Sequence, residues 1–96
     1  MSTDAYRHLL VDRSADGHVV TVVLNRPDQM NAMNTGMGED LVACFDQLHR
    51  DPHVRVVVLT GAGDKAFCAG GDLKERNEMT DEQWRAQHVI FEQAAA

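Results

Sequence analysis

The stretch "VRVVVLTGAGDKAFCAGGDLKE", Val54 to Glu75, decides the fold. Its first half is a strand, with Val54, Val56 and Val58 on one face and Val57 and Leu59 on the other. A strand apolar on both sides suits a sheet covered on both sides, so this is the most buried-looking strand of the chain. The second half breaks the pattern. Gly61, Gly63, Gly70 and Gly71 surround a thiol, Cys68, and precede an acid, Asp72. Ala66 to Cys68 are expected to be briefly extended within that loop.

Upstream lies "DQMNAMNTGMGEDLVACFDQLHRDPHVR", Asp28 to Arg55. Met37, Leu41, Phe45 and Leu48 recur at helical spacing, with Glu39, Asp40, Asp46 and Gln47 on the wet side. The spacing predicts a helix over about 36–49, capped by Asn34 or Thr35 and stopped before Pro52. Further back, Tyr6 to Pro27 reads as a hairpin. Leu9 and Val11 alternate with polar neighbours, and Asp16-Gly17 signals a turn in a loop longer than two residues. Val19 to Leu24 is apolar on both faces except at Thr21, and Pro27 ends the run. Downstream, Thr80 to Gln83 has capping-box spacing. Trp84, His88, Phe91 and Ala95 then mark a helical stripe, with Trp84 and Phe91 read as core. Glu75, Glu78, Glu82 and Glu92 read as exposed helix charge. A helix followed by a doubly apolar strand implies a crossover and an α/β fold. The 96 residues suit at most one domain.

Composition narrows the function classes. With 44% hydrophobic and 25% charged residues, the chain is globular rather than disordered. Nine basic against fifteen acidic residues give a net charge of -6, which offers no nucleic-acid footprint but leaves room for a local basic pocket. Two cysteines, Cys44 and Cys68, make no disulfide framework and read as free thiols in a reducing compartment. No apolar run approaches the ~20 residues that cross a bilayer. The start "MSTDAYRHLLVDR" lacks the parts of a signal peptide. The expectation is a cytoplasmic protein without membrane attachment.

Four chemistries compete for the glycine loop. Its glycines give neither a Walker A sequence nor a dinucleotide GxGxxG. Cys68 has no sequence context that sets a histidine beside it, so a small buried hydrophobe is the simpler reading. No zinc spacing or EF-hand occurs, and Pro52 interrupts the His49/His53 pair, so no metal is expected. The last option uses backbone. Small residues let a ligand approach main-chain N–H groups, which can stabilise charge on a carbonyl oxygen. Ala69-Gly70-Gly71 suits that role, and it also suits a plain tight connection.

Two blocks add a resemblance. "NRPDQMNAM", Asn25 to Met33, followed after one helix by Val54 to Glu75, resembles the N-terminal part of the enoyl-CoA hydratase/isomerase family, the crotonases. The resemblance implies a crotonase-like ββα superhelix, represented here by its N-terminal strands and helices only. In that family the first block forms part of the coenzyme A site, which implies contacts from Gln29, Met30, Asn31 and Ala32. In the second block the residue before the first glycine of AG[GA]D is taken to donate one N–H of an oxyanion hole. That residue is Ala69. Gly70 and Gly71 then give clearance to the thioester arm, and Asp72 supports the loop or helix start. Leu73 and Lys74 follow as contacts. Lys74 and Arg26 suit coenzyme phosphates and suit plain surface charge equally.

The implied reaction is addition of water to a 2-enoyl-CoA thioester in fatty acid metabolism. Coenzyme A belongs to the substrate, and no separate cofactor is implied. The family's second backbone donor and its glutamates lie downstream of these blocks. Residues 1–96 are therefore expected to be the N-terminal part of an acyl-CoA-binding domain, truncated and inactive alone. Two alternatives stand beside this. The chain can be a noncatalytic fragment that binds acyl-CoA or assembles with a complementary chain. It can also belong to an enoyl-CoA isomerase or another acyl-CoA enzyme of the family. The family implies a homotrimer or hexamer, and a free chain is expected to associate through its apolar strands.

Overall fold

A computed structural model describes residues 6–95. Strand β1 (Leu9–Arg13) and strand β2 (Val19–Leu24) form the expected hairpin. A 3-10 turn (Pro27–Gln29) leads to helix α1 (Thr35–Arg50), strand β3 (Val56–Gly61), the short helix α2 (Leu73–Asn77) and helix α3 (Asp81–Ala95). The sheet order is β1-β2-β3. β1 and β2 are antiparallel, with Leu9 opposite Leu24 and Arg13 opposite Val20. β2 and β3 are parallel, with Val19 opposite Val56 and Leu24 opposite Gly61. Parallel neighbours need a crossover, and α1 supplies it.

Local chemistry explains the element ends. In the hairpin loop the Asp16 carboxylate accepts from the Ser14 hydroxyl at 2.7 Å and the His18 N–H at 2.9 Å. Gly17 takes a φ of 75 there, which a side chain would resist. Asn34 caps α1 by accepting from the Met37 N–H at 2.8 Å. Thr80 and Gln83 form the expected reciprocal box at the start of α3, with bonds of 2.9 and 3.1 Å.

One sheet face and one helix face make the core. Leu9, Val20, Val22 and Leu24 meet Met37, Leu41, Cys44 and Leu48 of α1. Cys44 fills the place expected for Phe45, which is half-buried at the core edge. Asp40 is not on the wet side. It is 8% exposed and accepts from the His8 N–H at 2.9 Å.

Two expectations about burial are overturned. Val56, Val57, Val58 and Leu59 are 41–50% exposed, so β3 is not the most buried strand. The reason is topological: β3 is an edge strand, and α1 lies over the β1–β2 face. The second face of β2 is likewise only half-covered. In α3 the inward side runs through Gln87, Ile90, Phe91 and Ala94 rather than Trp84 and His88. Trp84 is exposed and stacks on His88 with ring centroids 5.3 Å apart. The Ala95 side chain and the chain end at Ala96 lie outside the described residues. Ala66 to Cys68 form no strand. Among the described residues no helix is long and apolar enough to cross a membrane.

Gly38 sets the seat of α3. A Cβ there would lie 2.6 Å from Phe91 Cε1 and 3.1 Å from Ile90 Cγ2. Gly38→Val is therefore expected to destabilise the chain by about 1–3 kcal/mol through overpacking, despite the better helix propensity of valine. Urea denaturation followed by circular dichroism measures it. An unchanged midpoint would mean that α3 does not seat on this glycine.

Candidate functional site

The site begins where β2 ends. After the 3-10 turn, Met30 and Asn31 both take left-handed backbone, with φ of 53 and 55. Asparagine tolerates that region, whereas methionine there costs roughly 1–2 kcal/mol. The carboxamide of Asn31 offsets the cost. It is fully buried, accepts from the Arg26 N–H at 2.9 Å, and donates to the Ala62 and Ala66 carbonyls at 2.9 Å each. One side chain thus ties the loop after β2 to the loop after β3. Gly61 permits this approach, because a Cβ there would sit 2.3 Å from the Phe67 carbonyl oxygen and 2.8 Å from Asn31 Nδ2.

The second loop then runs along the first. Ala69 N–H donates to the Met30 carbonyl at 3.0 Å, Met33 N–H to the Gly70 carbonyl at 2.7 Å, and Asp72 N–H to the Met33 carbonyl at 2.9 Å. Met33 and Gly71 form a parallel bridge. In such a rung the bracketed residue directs its own N–H and C=O away from the partner strand. Gly71 is that residue. Among the described residues nothing accepts from its N–H. Beside it, Gly70 has a φ of 94, and no heavy atom lies within 4 Å of where its Cβ would be.

This geometry corrects the expectation for Ala69. Its N–H is already spent on Met30, so the open donor lies two residues on, at Gly71. Open space flanks Gly70, and Asp72 supports the helix start. The Asp72 carboxylate accepts from the Glu75 N–H at 3.1 Å and from Arg26 Nη2 at 3.1 Å. The Glu75 N–H, and then the Arg26 guanidinium, hold its pKa below the ordinary aspartate value against the opposing effect of burial.

Other expected contacts are redistributed. Arg26 does not face solvent. Its side chain is 15% exposed, pairs with Asp72 and donates to the Ala32 carbonyl. The Asn31 side chain is fully committed internally. Gln29 and Met30 remain exposed on the lip, Ala32 is half-buried, and Leu73 and Lys74 are exposed. A cleft of about 470 Å³ opens between the two loops, lined by Pro27, Met30, Asn31, Gly63, Lys65 and Ala66. Lys65 is a cation that pattern reading missed; its only signal is its place in the loop after β3. Cys68 is half-buried and packs on the core edge.

Glu75 is not an exposed helix charge. It accepts from the Thr35 N–H and hydroxyl at 2.8 Å each and from the Gln87 amide, a residue only 4% exposed. Glu78, Glu82 and Glu92 are exposed, as read from the sequence, and Glu92 pairs with His88 at 2.9 Å. Among the described residues no three His, Cys, Asp or Glu side chains gather as a metal site.

The enoyl-CoA hydratase/isomerase family pattern matches residues 19–95. The (E)-benzylidenesuccinyl-CoA hydratase of Thauera aromatica is 41% identical over 71 residues, covering 74% of this chain and 28% of that protein. The 1,2-epoxyphenylacetyl-CoA isomerase of Escherichia coli (strain K12) is 48% identical over 59 residues, covering 62% and 22%. The crystal structure of enoyl-CoA hydratase from Mycobacterium smegmatis superposes with a TM-score of 0.83 at 43% identity, covering 91% of this chain and 34% of that one. The chain thus spans 22–34% of the length of these proteins. Its α/β arrangement is that of the N-terminal portion of the crotonase fold.

The Arg26–Asp72 pair makes a pH-dependent prediction. A lowered folded-state pKa means that the stabilisation is fully present above the ordinary aspartate value. It is lost as pH falls through the folded value. Asp72→Asn is expected to lose about 1–2 kcal/mol at neutral pH, and the two chains should converge in acid. Chemical denaturation over a pH series checks this. A gap constant from neutral pH to strong acid would contradict it.

Proposed function

The chain belongs to the enoyl-CoA hydratase/isomerase family, and on that premise we propose that it carries the acyl-CoA-binding, carbonyl-polarising part of a 2-enoyl-CoA hydratase-type site. The observation that carries the reading is the outward Gly71 N–H, fixed by the bonds of Met33 on either side of it. A thioester oxygen placed there accepts that N–H. As water adds to the distant alkene carbon, electron density moves to this oxygen and an enolate forms. A donor already in position costs no reorganisation at that moment, and losing one such donor costs about 3–4 kcal/mol in other enzymes. Gly70 leaves room for the thioester arm. Gln29, Met30, Lys65 and the cleft between the loops take the coenzyme portion, with Leu73 and Lys74 as outer contacts.

The acids beside the cradle are not offered for proton transfer. Asp72 is bound to Arg26, and Glu75 to Thr35 and Gln87. We assign the acid–base carboxylates and the second oxyanion donor to residues outside this chain. Residues 1–96 then act as one part of an acyl-CoA-binding domain that is inactive alone. The same cradle serves isomerisation, since that reaction also passes through an enolate. No cofactor beyond the substrate's own coenzyme A is needed. The reading carries a place in fatty acid metabolism and a homotrimer or hexamer. It also carries a cytoplasmic location, supported by the free thiols Cys44 and Cys68. A second reading, a noncatalytic acyl-CoA binder that assembles with a complementary chain, is favoured by the exposed Val56 to Leu59.

Cinnamoyl-CoA tests the cradle, because its absorbance moves to longer wavelength as its carbonyl is polarised. The chain is expected to produce that shift without hydrating the alkene. Gly71→Pro, which has no N–H, is expected to abolish it. A shift that survives this substitution would remove Gly71 from the role, and robust hydration tracking the purified chain would refute the assignment of the acids.

A further inference from the structure

Arg76 lies one helical turn after Asp72, and its guanidinium folds back over the carbonyl cradle. Its Nη2 is 2.9 Å, and its Cζ 3.6 Å, from the point that a Cβ on Gly71 would occupy. The space left by the missing side chain is therefore taken by a cationic fork. Asp72 is committed to Arg26, and Glu75 to Thr35 and Gln87. Among the described residues no carboxylate pairs with Arg76 within 4.0 Å. The residue is exposed at the mouth of the site.

A guanidinium is a poor neighbour for a plain hydrocarbon tail. Covering it with apolar chain strips water from a charge and returns no partner. Its planar donors instead match a carboxylate with two parallel hydrogen bonds. We infer that Arg76 is a specificity-determining residue that selects a short acyl-CoA whose acyl group carries its own carboxylate. The inference rests on the proposed acyl-CoA reading and refines its substrate class. The thioester oxygen sits at Gly71 N–H, and the acyl chain leaves it past Arg76.

Succinyl-CoA and butyryl-CoA test this, since they share chain length and differ in the terminal carboxylate. Free coenzyme A is the third probe. Calorimetric titration of the chain is expected to show succinyl-CoA binding about tenfold tighter than butyryl-CoA, the value of one charged hydrogen-bonded contact. In Arg76→Met the ratio should fall toward one, and Arg76→Lys should keep part of it. The ratio in the parent chain does not depend on how any variant folds. Equal binding of the two thioesters would overturn the inference and leave the parent reading standing. So would an Arg76→Met variant that weakens all three probes alike, which would mean a phosphate contact. Failure of every coenzyme A compound to bind would overturn both.

Discussion

The buried carboxamide of Asn31 is the constraint on which the site depends. It satisfies three main-chain groups at once, on Arg26, Ala62 and Ala66. These three bonds hold Met30 and Asn31 in left-handed backbone. That turn aims the Met30 carbonyl at Ala69 N–H and brings Met33 alongside Gly71. Leaving such buried groups unpaired costs about 1–3 kcal/mol each, enough to outweigh the strain at Met30. The geometry of the open donor is thus inherited from a fully buried side chain.

Charge and backbone have separate duties here. The ionisable groups around the cradle are mostly structural: Arg26 binds Asp72, Asp72 caps α2, and Glu75 joins α1, α2 and α3 through Thr35 and Gln87. The proposed chemical role falls to an uncharged N–H. This division suits a site in which charge appears only transiently, since a fixed dipole need not titrate or reorient. Arg76 departs from the pattern, being a charge at the cradle with no carboxylate partner among the described residues.

Much of the fold was legible because it rests on local chemistry. The turn at Asp16-Gly17, the Asn34 cap, the Thr80–Gln83 box and the α1 stripe are all short-range signals, and each was readable. The family blocks marked both site loops. What eluded reading depends on position in three dimensions. Alternation showed that β3 is apolar on both faces, but not that it sits at a sheet edge. The α3 stripe reads as Trp84, His88, Phe91 and Ala95; Phe91 does face inward, against Gly38, but Trp84 and His88 are exposed. Arg26 and Asn31 looked like ligand contacts because polar residues in a motif look alike. Only the bonds at 2.9–3.1 Å show that they are struts. The shift from Ala69 to Gly71 has the same origin, since a one-rung bridge leaves no periodic trace in the sequence.

The central claim concerns which backbone N–H is free. Amide hydrogen exchange, resolved by residue with NMR, measures that directly. In the unliganded chain Ala69 should be protected by Met30, while Gly71 should exchange almost as fast as an open peptide. Adding crotonyl-CoA should slow Gly71 and leave Ala69 unchanged. A protected Gly71 and a fast Ala69 in the free chain, or a ligand that slows Ala69 alone, would contradict the account.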